Sequence, residues 1–132
     1  MIARLRRMIA EPTTTTYSDL VLAGLIEARP LTDVNGLEPF TLVSVTLNVP
    51  TYTDNSSWLP TYDLNAVAGE LWAEKANLLA GNFDFNADGA SYQRSQAYEQ
   101  AMKQSRYYLA RRAVRSIAVT LPTDPADPFG DE

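Results

Sequence analysis

The sequence predicts a mainly α protein: a four-helix bundle-like domain, with a long loop or β-hairpin insertion between helices 2 and 3 and a flexible C-terminal tail. Three observations predict it. Four segments carry apolar residues at helical spacing. One stretch between the second and third alternates apolar and polar residues with the period of a strand. The last thirteen residues, TLPTDPADPFGDE, hold three prolines and four acidic residues and little that could form a core. The resulting boundaries are one helical domain over 1–119, with an extended excursion at 31–62, and a tail at 120–132. A chain of 132 residues suits one domain of this kind.

The elements follow in order. Ile2, Leu5 and Ile9 form a helical stripe with Arg4, Arg7 and Glu11 off it, and Pro12 ends the segment. Four threonines, 13–16, form a linker or capping turn. Thr16 followed by Asp19 has the pattern of a helix start. The second helix then runs to about Ala28, with Val21, Leu22, Leu25 and Ile26 as its apolar face, and Pro30 stops it. In the excursion, VSVTLNVP places Val43, Val45, Leu47 and Val49 on one face and Ser44, Thr46 and Asn48 on the other, the pattern of a strand half buried on one side. TYTDNSSWLPTY could return as a short strand, limited by Pro50 and Pro60. The alternatives are an ordinary hairpin on a long loop, or a strand that completes its sheet with another subunit or protein. Asp63 caps a third helix, about Leu64–Leu79, with Leu64, Val67, Ala68, Leu71 and Leu78 as its stripe and Gly81 as its stop. A fourth begins between Ser91 and Ser95 and runs to about Ile117, with Tyr98, Met102, Ser105, Leu109, Ala113 and Ile117 roughly along one face.

Composition narrows the chemistry. The chain has neither Cys nor His. That removes thiolate nucleophiles, the Ser–His and Cys–His systems, and nearly all zinc and iron sites. An enzyme would have to use carboxylates, Lys or Tyr. No apolar run reaches the ~18 residues of a membrane span, and the N-terminus lacks the apolar core of a signal peptide. The net charge of −5 is unevenly spread. Between Glu11 and Asp88 the only bases are Arg29 and Lys75. Between Arg94 and Arg115 stand six bases against Glu99, and the tail is acidic again. Blocks of this kind suit complementary partner surfaces.

Three stretches are candidate sites. DFNADG matches the opening of an EF-hand calcium loop, with Asp84, Asn86, Asp88 and Gly89 in register. Its twelfth position, which should supply a bidentate Glu, is Ser95; its eighth is Ser91; Glu99 lies a turn too far on. The residues therefore read as a helix–helix connection, pinned by Phe83 and Phe85, and no metal or other cofactor is expected. Glu70 and Glu74 lie one turn apart near Lys75. Such a pair does acid–base work only in a cleft that separates the two pKa values, and it reads instead as a solvated face. The fourth helix collects Arg106, Arg111, Arg112 and Arg115, interleaved with Tyr107 and Tyr108. Cations there suit the helix dipole, but their number also suits a polyanion or an acidic protein surface.

Two long stretches carry a family resemblance. MIARLRRMIAEPTTTTYSDLVLAGLIEA, and WLPTYDLNAVAGELWAEKANLLAGNFDFNADGASYQRSQAYEQAMKQSRYYLARR, resemble the head–tail adaptor (head–tail connector) proteins of tailed bacteriophages. Its most specific parts are TYDLNAVAGELWAEKA and FDFNADGASYQRSQAYEQA. The resemblance implies a structural virion protein of the neck, assembled in the bacterial host cytoplasm, and not an enzyme. It implies a ring, commonly of twelve copies, beneath the portal protein. That ring is a platform for the next neck, stopper or tail protein, and genomic DNA passes through it without sequence-specific binding. In this reading Leu121, Pro122 and Phe129 anchor the tail to the portal. Arg106, Arg111, Arg112 and Arg115 face an acidic partner or the DNA channel. Val43, Val45, Leu47 and Val49 form an intersubunit or next-ring strand. The competing reading is a small calcium- or nucleic-acid-binding regulatory module.

Overall fold

The structure is a computed structural model and describes residues 1–80 and 90–114, the side chains of 90–94 excepted. Its elements are α1 (Ile2–Met8), α2 (Asp19–Glu27), β1 (Phe40–Thr46), β2 (Val49–Asp54), α3 (Leu64–Ala80) and α4 (Ala90–Leu109). This corrects the fold class. The molecule is a small mixed fold, four helices plus a two-stranded antiparallel sheet, rather than a mainly α four-helix bundle. The reason is length. α1 and α2 make about two turns each, too short to interdigitate along α3 and α4.

The long helices form an antiparallel pair. Ser105 on α4 donates its hydroxyl to the Gly69 carbonyl on α3 at 2.8 Å, and Leu109 packs over Gly69. Near the other end, Asp63 holds both chains. One carboxylate oxygen accepts the Ala66 N–H at 3.0 Å and so caps α3, as expected; the other accepts the Ala113 N–H at 2.7 Å. This second bond turns the chain after Leu109, so α4 ends before the Ile117 limit that periodicity suggests.

The core lies where α1 and α2 cross α3. Leu5, Ile9, Tyr17, Leu22, Ile26, Val67, Ala68 and Leu71 are buried together. α1 closes with Ala10 at φ 56°, while the Glu11 N–H bonds the Arg6 carbonyl at 3.0 Å and the Ala10 N–H the Arg7 carbonyl. That is a Schellman ending with alanine in the position glycine usually takes. α2 is capped by Ser18, whose Oγ accepts the Val21 N–H at 3.2 Å, and not by Thr16, whose hydroxyl is drawn to Glu11. Leu78, expected in the core stripe, is exposed.

Arg6 is the buried charge that positions α2. Its guanidinium binds Asp19 at 2.5 Å, the carbonyls of Tyr17 and Glu11 at 2.9 and 3.3 Å, and the Thr13 carbonyl. The threonine-rich turn is thereby wrapped around one side chain. On α3, Lys75 reaches the Ile9 carbonyl and the Glu11 carboxylate at 2.5 and 2.7 Å, and lies over the Trp72 ring.

Candidate assembly surface

The excursion begins and ends at one place. Pro30 and Tyr62 form a bridge, the Leu31 N–H bonds the Thr61 carbonyl at 2.8 Å, and the Asp63 N–H bonds the Arg29 carbonyl at 2.9 Å. Asp33 then organises the base. Its carboxylate accepts the N–H groups of Leu59, Asn35 and Leu37 at 2.8–2.9 Å. The Leu59 N–H, followed by those of Leu37 and Asn35, holds the Asp33 carboxyl below its ordinary value, against the opposing effect of desolvation. Trp58 donates its indole N–H to the Leu31 carbonyl at 2.9 Å and meets Tyr62 edge-on.

From this rigid base the β1–β2 hairpin stands clear of the body, with every strand residue exposed. β1 thus has its partner within the chain, as the hairpin alternative held. It is not buried on one side. Leu47 and Asn48 form the two-residue turn, at φ 51° and 61°. These are the values of a type I′ turn, which favours Asn-Gly and is costly for leucine.

Register decides which side chains share a face. Phe40, Leu42 and Val45 stand opposite Asp54, Tyr52 and Pro50; Thr41, Ser44 and Thr46 stand opposite Thr53, Thr51 and Val49. An irregularity between Leu42 and Ser44 inserts Val43 as a bulge. It moves Leu42 and Phe40 onto the face of Val45, making one side of the hairpin apolar and the other rich in threonine. The predicted face of Val43, Val45, Leu47 and Val49 is therefore corrected. These residues occupy the bulge, the apolar face, the turn and the opposite face of β2. Sequence reasoning missed Phe40, Leu42 and Tyr52. The available signal was the broken alternation in FTLVSV, which a single-strand reading treats as a strand boundary.

The edges of the hairpin differ. The Asn55 N–H bonds the Pro39 carbonyl at 2.9 Å. By antiparallel alternation, positions 40, 42 and 45 of β1 and 50, 52 and 54 of β2 point their backbone groups outward. Pro50 has no N–H to offer, so the outer edge of β2 is interrupted and that of β1 is open. Within 40–54 the only charged residue is Asp54.

The basic end of α4 lies apart. The Arg111 guanidinium stacks on the Tyr107 ring at 3.6 Å and donates to the Tyr107 carbonyl at 3.0 Å, while Arg106 and Arg112 are exposed. Arg112 lines a groove of about 460 Å³ with Arg29, Asp63 and Glu70. Arg29 and Glu70 pair at 2.5 Å across it, both half-exposed. Glu70 and Glu74 therefore serve different neighbours. Glu74 lies near Tyr17, whose buried hydroxyl makes no well-formed hydrogen bond. Burial, then the Glu74 and Glu11 carboxylates, raises the Tyr17 pKa.

Several expected sites lie outside the described residues: Asp84, Asn86, Asp88 and Gly89 of the acidic loop, with Gly81, Phe83 and Phe85; Arg115 and Ile117; and Leu121, Pro122 and Phe129 of the tail. Among the described residues no group of acidic side chains is placed to hold a metal ion, and no helix is long and apolar enough to cross a membrane. No family model, curated protein or solved structure matches the chain.

Proposed function

We propose that this chain is a structural assembly protein, a head–tail adaptor of a tailed phage. It joins a DNA-filled head to the neck and tail as a ring under the portal, without catalysis. The observation that carries this reading is the uncharged hairpin, exposed on both faces yet held by a tightly bonded base. A two-stranded hairpin is marginal alone in water, and apolar exposure of this extent on a rigid mount suits a surface covered in an assembly. The resemblance of the helical stretches supplies the kind of assembly. The tail anchors Leu121, Pro122 and Phe129 dock on the portal. The exposed cations Arg106 and Arg112, with Arg115, meet an acidic partner or line the DNA path.

The test is electron microscopy of lysates of the encoding phage with this gene deleted. Separate tails beside heads that have packaged and lost their DNA are expected. Normally joined virions would overturn the reading.

A further inference from the structure

A second surface on the chain is as unpartnered as the hairpin. Between Asp19 and Glu27, α2 is LVLAGLI, apolar around its whole circumference. Helices of that kind are normally buried on all sides. α2 buries only Leu22 and Ile26 fully. Its outer side presents Leu20, 84 % exposed, Val21, and Gly24, at which an added Cβ would meet nothing within 4 Å. The result is a shallow, uncharged, apolar helix face.

We propose that the apolar hairpin face of one copy of this chain, built on Phe40, Leu42, Val45 and Tyr52, packs against the outer face of α2 of a second copy. Three observations select that occupant. The two surfaces match in chemistry: both are apolar, and neither carries a charge beyond Asp54 at the hairpin base. In a chain of net charge −5, copies repel unless they meet where charge is absent. The hairpin and α2 are such places.

The second observation is area. A seven-residue hairpin face measures roughly 23 Å by 10 Å. Two hairpins placed face to face would cover well under the ~1,600 Å² of a standard interface and would leave both α2 faces bare. A head-to-tail contact covers both surfaces on every copy and repeats, which is how closed rings form. The third is the tip. Leu47 is 93 % exposed and held in a left-handed conformation that disfavours leucine. An apolar side chain kept there against backbone preference fits a tip that meets the neighbouring subunit.

The contact rests on the ring-forming reading, but it is tested on the purified protein, and the deletion phenotype tests the reading separately. The chain has no cysteine, so introduced thiols report without background. Leu20→Cys and Leu42→Cys are purified singly and oxidised with copper phenanthroline at about millimolar protein, alone and mixed. Leu20→Cys mixed with Val34→Cys, an equally exposed position away from both faces, is the control. The expected result is a disulfide-linked dimer of the Leu20→Cys and Leu42→Cys chains, at least tenfold faster than in the control. The double variant should give a ladder beyond the dimer. Leu42→Cys linking to itself as fast as the mixture would overturn the proposal in favour of hairpins meeting one another. Mixture and control linking at the same rate would overturn it outright.

Discussion

At the scale of single residues, the positions that matter most are polar groups whose partners are backbone carbonyls. Arg6 is the clearest. It is nine-tenths buried on its side chain and satisfies three carbonyls of the turn before α2 as well as Asp19. Asp19 is largely exposed, so the ion pair itself is screened. The larger effect of removal comes from the orphaned carbonyls. Arg6→Met is expected to cost about 2–4 kcal/mol, read as a lower urea midpoint. Arg6→Lys should recover only a small part of it, because an ammonium cannot reproduce the planar fork. Equal stability of Arg6→Met and the parent would show that the turn holds without the guanidinium.

At the scale of elements, the α3–α4 crossing depends on one absent side chain. A Cβ at Gly69 would stand 2.6 Å from Leu109 Cγ and 3.1 Å from the Leu109 backbone nitrogen. The side chain could turn aside, but the backbone could not without separating the helices. Gly69→Ala gains about 1 kcal/mol of helix propensity and is still expected to lose about 1–3 kcal/mol net through overpacking. A rise in thermal midpoint would contradict this account. The hairpin tip gives the opposite prediction. Replacing Leu47-Asn48 with Asn-Gly suits a type I′ turn and removes a strain of about 1–2 kcal/mol. Hydrogen exchange at Val45 and Thr51 should slow or stay unchanged, with the thermal midpoint of the body preserved. If instead the hairpin amides exchange faster, the turn is not of this type.

At the scale of the whole molecule, two carboxylates tie the N-terminal segment and the excursion to the helices, and both set an acid limit on stability. Lys75, by its hydrogen bond and then its charge, holds the Glu11 carboxyl below its ordinary 4.5, with Thr16 and Arg6 helping and partial burial opposing. Asp33 is held below 3.8 by its three backbone donors. Depressed folded-state values mean that the unfolded chain binds these protons more tightly. Their stabilisation is full above the ordinary values and is lost as pH falls through the folded ones. The thermal midpoint is therefore expected to fall below about pH 4, and Asp33→Asn should shrink that fall. Tyr17 acts at the other limit. Its folded pKa is raised above 10.0, so it contributes stability that fades as pH rises beyond that value. Tyr17→Phe should flatten the alkaline side at little cost near neutrality, because the hydroxyl lacks a well-formed bond. A midpoint that stays level between pH 6 and 3 would contradict the roles of Glu11 and Asp33.

By itself, the sequence determined what depends on neighbours in the chain. The cap at Asp63, the helical stripes of α1 and α3, the stop at Pro30 and the alternation around Val45 were all legible, because capping, proline geometry and periodicity are local. Tertiary structure alone decided the rest. Whether β1 had a partner turned on a two-residue turn built from Leu-Asn rather than Asn-Gly, which gives little local signal. Which hairpin face is apolar turned on a one-residue bulge, and one residue reverses every side chain beyond it. The burial of Arg6 and the early end of α4 at Asp63 came from carbonyls and carboxylates far along the chain, which no local pattern specifies. The bare face of α2 reads in sequence as core; only packing shows that this chain leaves it uncovered.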